Sequence, residues 1–296
     1  MSEQDYKPGS IIRLGNLRFQ AKTIVEGLLL GLHDSPYHGF SVEFSQHRQY
    51  MPGDDIRHVD WQLYGKTDRY YIKQYEEETN LNAYILVDNS ASMDYVSGSP
   101  VSKYEYAQLI AAALAWLLID QNDAVGLAIF NEKIEKLYPP RSINSYLNEL
   151  LAALQNTVCS KQTHIGNTLH HITEKLQRKG LVILISDLLD DDGKLMNGLK
   201  HLRYLGHDVM VIQLLDPDEW ELKLSRKHRF HDLESGEDLK LDVRQIKNEY
   251  HKKIREYCDN INRECGENLI DHTLITTDMD CRIALIEFLR KRNRLY

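Results

Sequence analysis

The sequence predicts an α/β protein: a doubly wound, mostly parallel sheet flanked by helices, with an N-terminal extension that contains β-structure. Three observations carry this prediction. Apolar runs of strand length recur at Ala83–Val87, Ala124–Phe130, Leu181–Ile185, Val209–Leu215 and Leu269–Ile275. Three of them are nearly continuous in apolar residues, as strands covered on both faces are. Helical patterns alternate with them, and that alternation builds a parallel sheet with helices on both faces.

The first helix follows Ala83–Val87. Ser102 and Glu105 have capping-box spacing, and Ala107, Ile110, Ala111, Leu114, Leu117 and Leu118 then recur at helical intervals. Further helices are expected over Ser142–Leu154, Gly166–Gln177 and Lys194–Tyr204, the last stopped by Gly206. Ile246, Tyr250, Ile254, Tyr257, Ile261 and Cys265 mark a long amphipathic helix, and Met279–Lys291 closes the chain as another. Arg226–Leu241 is turn-like, and Phe230–Glu237 reads as a short hairpin with Gly236 at the bend.

Residues 1–80 read differently and are expected to form an extension packed on a main domain over 81–296. Ile11–Leu32 is one or two amphipathic helices. Phe40–Phe44 and Tyr70–Tyr75 alternate like half-exposed strands, and Met51-Pro52-Gly53-Asp54-Asp55 is a turn by its chemistry. In Pro52–Trp61, Asp54, Asp55 and Asp60 offer an additional acidic site, but the expected role is structural: Arg57 pairs with a carboxylate and Trp61 anchors the extension on the sheet.

Composition narrows the function. The chain has 296 residues, 42% hydrophobic and 27% charged, ordinary for a globular protein. Its net charge of −8 argues against a general nucleic-acid surface. The run Arg290-Lys291-Arg292-Asn293-Arg294 is read as a cation-rich helix end. Cys159, Cys258, Cys265 and Cys281 form no C-x-x-C pair, which disfavours a zinc ribbon or redox motif. The start lacks the form of a signal peptide, and no apolar run reaches membrane-spanning length. A cytoplasmic protein is the expectation.

The chemistry gathers at strand ends. Ala83–Val87 closes in Asp88-Asn89-Ser90-Ala91-Ser92, so one carboxylate and two hydroxyls leave a buried strand together. Hard divalent cations such as Mg²⁺ take oxygen ligands of this kind, and open α/β sheets place ligands at the carboxyl ends of their strands. Leu181–Ile185 ends in Ser186-Asp187, and the loop before Gly166 carries Thr163. Taken singly, each of these residues is as well explained as a turn former or helix cap. The conjunction on three strand ends favours a cation site made of Asp88, Ser90, Ser92, Thr163 and Asp187, taking Mg²⁺ or its substitute Mn²⁺. His164, His170 and His171 cluster near Thr163, but zinc would need a further donor.

Asp88-x-Ser90-x-Ser92 with Met93, Thr163 and Asp187 resembles the metal-ion-dependent adhesion site of von Willebrand factor type A domains. Gly39–Phe44, Arg48-Gln49-Tyr50, Pro52–Arg57, Asp60-Trp61, Lys73-x-Tyr75-Glu76-Glu77-Glu78, Leu205–Val209 and Asp232-Leu233-Glu234-x-Gly236 are similar to the signature of one subgroup. That subgroup is an uncharacterised bacterial one, commonly encoded beside MoxR-type AAA+ ATPases. The likeness runs from about Gly39 to the C-terminus. It implies a von Willebrand type A-like fold that binds Mg²⁺ and, through it, an acidic side chain of a protein partner, with Asp88, Ser90 and Ser92 on the first loop, Thr163 on the second and Asp187 on the third. The second loop departs from the superfamily's Thr-x-Thr: it reads Thr163-His164-Ile165-Gly166-Asn167-Thr168, and aligning on Thr168 would put Gly166 at the ligand position.

The function expected is therefore a non-catalytic, metal-dependent protein-binding module, working with a MoxR-type AAA+ ATPase in maturation or assembly of other proteins. The alternative is a Mg²⁺-dependent phosphoester hydrolase. Against it, Ser90 stands where a phosphatase-type Asp-x-Asp needs its second carboxylate, and neither G-x-S-x-G nor G-x-x-x-x-G-K-[ST] occurs. A degenerate domain without metal is the third reading.

Overall fold

The computed structural model describes residues 6–33, 47–49, 65, 71–73, 81–160, 165–189, 194–222, 227–231 and 238–295. Contacts divide the chain into two units, Met1–Leu29 with Leu81–Tyr296, and Leu30–Asn80. The helices before Leu29 thus belong with the sheet domain rather than with the 30–80 segment.

In chain order the described elements are α1 (Pro8–Ile11), α2 (Leu17–His33), β1 (His47–Gln49), β2 (Tyr71–Lys73), β3 (Asn82–Asp88), α3 (Lys103–Asp120), β4 (Ala124–Phe130), β5 (Ile134–Arg141), α4 (Asn144–Gln155), α5 (Ile165–Lys175), β6 (Leu181–Ser186), α6 (Leu195–Tyr204), β7 (Asp208–Leu215), α7 (Pro217–Glu221), β8 (Lys227–His231), β9 (Asp238–Asp242), α8 (Val243–Glu267), β10 (Asp271–Thr276) and α9 (Arg282–Leu295). In the 30–80 unit, β1 and β2 pair antiparallel, Arg48 opposite Ile72. Phe40–Phe44, Pro52–Trp61 and the Asp232–Gly236 bend lie outside the described residues.

The main sheet runs in the order β10-β7-β6-β3-β4-β5. Every pair is parallel except β4–β5, which is antiparallel at the edge. This is the doubly wound, mostly parallel arrangement the sequence predicts. β6 is buried along its whole length, which accounts for its unbroken Leu-Val-Ile-Leu-Ile. On one face, Tyr84, Leu86, Val182, Leu184, Val209 and Val211 pack with Ile165, Leu169 and Ile172 of α5, Leu195, Leu199 and Leu202 of α6, and Ile261 and Cys265 of α8.

Helix α3 contacts the strands as well, and nearly all of it is buried, Tyr106 through Ile119 with few exceptions. A helix apolar all round needs cover on all sides. Part of that cover is the N-terminal segment: the Arg18 guanidinium lies 5.5 Å from the Trp116 ring centre and donates to Asn148 Oδ1 at 2.9 Å, and Ile11, Leu17, Ala21, Ile24, Val25 and Leu28 are buried. The capping box of α3 forms as expected: Ser102 Oγ accepts the Glu105 N–H at 3.1 Å and Glu105 Oε2 accepts the Ser102 N–H at 2.9 Å.

Three differences from the sequence reading have local causes. Ile134–Arg141 is a strand to which the sequence reading assigned no element; it is a half-exposed edge strand carrying Pro139 and Pro140, a position where a sheet tolerates proline. α7 is an additional short helix begun by an Asp216–Glu219 capping box. The last strand starts at Asp271 rather than Leu269, because Leu269 turns through φ +56° at the end of α8.

Candidate metal centre

The parallel register puts Val87 opposite Ile185, so β3 and β6 release Asp88 and Ser186–Asp187 side by side at the carboxyl edge. After Asp88 the chain enters a 3₁₀ turn, Ala91–Asp94, anchored by the fully buried Met93. This turn faces the Ser90 and Ser92 hydroxyls toward each other at 3.0 Å. Asp88, Asn89 and Ser90 are all fully buried. Asp88 Oδ1 accepts the Ser90 N–H at 2.8 Å, and its Oδ2 accepts the Ser186 hydroxyl at 2.7 Å. Burial, then the neighbouring Asp187 carboxylate, raises the Asp88 carboxyl to about 7, against the pull of its hydrogen bonds.

On the third loop, Asp187 Oδ1 accepts the Leu189 N–H at 3.1 Å and Oδ2 accepts the Lys103 ammonium at 2.7 Å. Leu188 follows at φ +60° with its side chain in the core, a conformation that costs a non-glycine residue about 1 kcal/mol. Its backbone is held by Ser186 Oγ, which accepts the Leu188 N–H at 3.0 Å, and by Tyr257, whose hydroxyl donates to the Leu188 carbonyl at 2.5 Å. Gln213 Nε2 donates to the Asp187 carbonyl at 3.1 Å.

The residues present fit a small hard cation. Two neighbouring corners of an octahedron of oxygens about 2.1 Å from Mg²⁺ lie about 3.0 Å apart, and that is the Ser90–Ser92 separation. The two buried carboxylates repel each other, and a divalent cation relieves that repulsion. Zinc does not fit as well: among the described residues no cluster of three or more His, Cys, Asp or Glu side chains could hold a metal. His170 stacks on His201, ring centres 4.4 Å apart, instead of joining such a cluster.

Four of the five sequence-derived residues are described, and Asp88, Ser90, Ser92 and Asp187 come together at one edge. Thr163 lies outside the described residues. Its flanks are tethered to the same edge: the Ser160 N–H donates to the Asn89 carbonyl at 3.0 Å, and the Thr168 hydroxyl donates to the Asn131 carbonyl at 3.1 Å. Gly166 has no side-chain donor, and a Cβ there would meet Lys194 backbone at 2.5 Å, so no side chain fits at that position.

Sequence reasoning missed Ser186, Lys103 and Glu219. Lys103 Nζ also donates to Glu219 Oε1 at 2.6 Å, and its side chain is 0% exposed. Burial alone would push this ammonium down, but Asp187 and Glu219 hold it above its ordinary value. Burial likewise pushes Glu219 up, with Lys103 pulling the other way. Asp216, fully buried, accepts the N–H groups of Ser97, Gly98 and Asp218, and Asp218 Oδ2 accepts the Ser97 hydroxyl at 2.6 Å. These bonds fix the loop leading from the first site segment into α3. A separate hollow lined by Lys136, Tyr138, Glu149, Ala152, Ala153 and Asn156 shares no residue with the site.

A family model described as "Protein of unknown function DUF58" matches residues 46–259. The curated proteins similar to this chain include "Uncharacterized protein Rv1480" of Mycobacterium tuberculosis (strain ATCC 25618 / H37Rv), 25% identical over 291 residues, covering 95% of this chain and 89% of the relative. Among solved structures, the conserved hypothetical protein BatB from Bacteroides thetaiotaomicron aligns with a TM-score of 0.51 and 19% identity over 72% of this chain and 99% of its own. An aerotolerance-related membrane protein from Bacteroides fragilis NCTC 9343, with multiple mutations to serines, aligns with a TM-score of 0.52 and 17% identity over 72% and 99%. At these identities the two structures bear on fold alone. No described helix of this chain is long and apolar enough to cross a membrane.

Proposed function

This chain belongs to the DUF58 family, and from that premise we propose that it is a non-catalytic, metal-dependent protein-binding module. The observation that carries the reading is the pair of hydroxyls of Ser90 and Ser92 at octahedral-edge spacing, beside the fully buried Asp88 carboxylate at the same strand end. Asp88, Ser90, Ser92 and Asp187 would hold Mg²⁺ or Mn²⁺, and Thr163 is proposed as the second-loop ligand. When bound, the cation supplies a Lewis-acid position that an acidic side chain of a partner can occupy. The chain's own part is to keep two carboxylates and two hydroxyls oriented, with Asp88, Ser90 and Asp187 buried from water.

The proposed partner is a MoxR-type AAA+ ATPase, with the complex acting in maturation or assembly of other proteins; this rests on the resemblance drawn from the sequence motifs. The absence of a second carboxylate at Ser90 also supports binding over phosphoryl chemistry.

Calorimetric titration with Mn²⁺ tests the site. The parent protein is expected to bind, and Asp88→Ala to lose all binding; equal binding by the two would overturn the site. Purified ATPase is expected to associate in Mg²⁺ and dissociate in chelator. Hydrolysis of an aryl phosphate that depends on Asp88 would instead favour the enzyme reading.

A further inference from the structure

Lys103 is costly where it stands. It is the first residue of α3, where the helix dipole is positive and disfavours a cation, and its ammonium is completely buried, which desolvates the charge. Among the described residues, both costs are met chiefly by two carboxylates, Asp187 Oδ2 at 2.7 Å and Glu219 Oε1 at 2.6 Å, with the Tyr95 ring centre 5.9 Å from the ammonium. These two differ in kind. Asp187 belongs to the cation site. Glu219 is on α7 and is not among the proposed ligands, its Oε2 accepting the Asp216 N–H at 2.8 Å and its carbonyl accepting the Tyr250 hydroxyl at 2.7 Å.

An ammonium bonded to a metal-site carboxylate occupies an oxygen that a divalent cation would otherwise attract, and it repels that cation at short range. The same ammonium has a second carboxylate already within bonding distance. We infer that Lys103 is a built-in competitor of the divalent cation: it holds Asp187 in the cation-free protein and shifts toward Glu219 when the cation arrives, so that Glu219 determines how readily the site loads. This rests on the cation-site reading above and adds to it a residue that sets affinity without touching the cation.

Two substitutions push the affinity in opposite directions, which a merely structural role would not do. Lys103→Met removes the competitor. Glu219→Gln leaves the ammonium with Asp187 as its one anionic partner, and glutamine still serves the capping box of α7. Binding of Mn²⁺ by the full-length proteins is followed by loss of the free-ion EPR signal, with folding checked by thermal melts in chelator. Lys103→Met is expected to bind Mn²⁺ about tenfold or more tightly than the parent, and Glu219→Gln several-fold more weakly, on the order of a full charge removed or confined at short range.

Equal affinities in the three proteins, or shifts of the same sign in both variants, would overturn the role of Lys103 while leaving the site intact. If neither parent nor Lys103→Met binds more Mn²⁺ than Asp88→Ala, the site itself fails and the competitor with it. If Lys103→Met does not fold, the result for Glu219→Gln decides: weaker binding supports the inference, and parent-like or tighter binding overturns it.

Discussion

The Ser186 hydroxyl donates to Asp88 Oδ2 at 2.7 Å, joining the ends of two adjacent parallel strands inside the protein. Ser186 Oγ also accepts the Leu188 N–H at 3.0 Å, so one small side chain holds both the first-loop carboxylate and the backbone of the third loop. Ser186→Ala removes a donor from a buried carboxylate and an acceptor from a buried N–H. The expected cost is about 1–3 kcal/mol, measured by urea unfolding in chelator, with weaker Mn²⁺ binding alongside.

Asp88 makes stability depend on pH and, if the proposed site is correct, on the cation as well. Its carboxyl is raised from 3.8 to about 7, by burial first and by Asp187 second. The folded state therefore holds a proton that the unfolded chain releases. In chelator, this group's contribution is complete below about pH 4 and is lost as pH rises through about 7. Mg²⁺ competes with the proton, so it is expected to raise the melting temperature clearly at about pH 8 and little at about pH 5. A Mg²⁺ effect that is the same at both, or larger at the lower pH, would contradict this.

His272 acts in the opposite sense. Burial lowers its imidazole from 6.5 to about 4, and its ring nitrogens lie 3.0 Å from Gln213 Oε1 and 3.3 Å from Asn262 Oδ1. Here the unfolded chain takes up the proton first. Stability is full above about pH 6.5 and is lost as pH falls through about 4, by up to about 3 kcal/mol. Comparing acid unfolding of the parent with His272→Gln checks this; the variant is expected to show the shallower decline over that window.

Gly98 is where the loop before α3 approaches α7 most tightly. Its N–H donates to Asp216 Oδ1 at 2.8 Å, and an added Cβ would meet the Asp218 nitrogen and Pro217 Cβ, each at 2.9 Å. Backbone and a proline ring cannot move aside cheaply, so Gly98→Ala is expected to destabilise by about 1–3 kcal/mol. Denaturant midpoints measure it, and a parent-like midpoint would mean that the loop is free to shift.

The sheet was readable from the sequence because its central strands are buried on both faces and therefore uninterrupted in apolar residues; β4 begins and ends where its apolar run does. β5 escaped because an exposed edge strand needs no such run, and Pro139-Pro140 reads as loop. The grouping of Asp88, Ser90, Ser92 and Asp187 was readable because each lies at or just beyond the end of a buried strand that is marked in the sequence. Lys103 was not, since a lysine one residue after a helix cap looks like an ordinary solvated side chain. Its meaning comes from Asp187 and Glu219, 84 and 116 residues away, and no local pattern encodes that.

The separation of the site's parts has a temporal side. Asp88 and Ser186 are 98 positions apart, so no fragment ending before the third loop can carry the binding edge. During synthesis the proposed site would therefore stay unassembled until β6 and the loop after it have left the ribosome, and a clip that frees the segment after β4 would be expected to disassemble it.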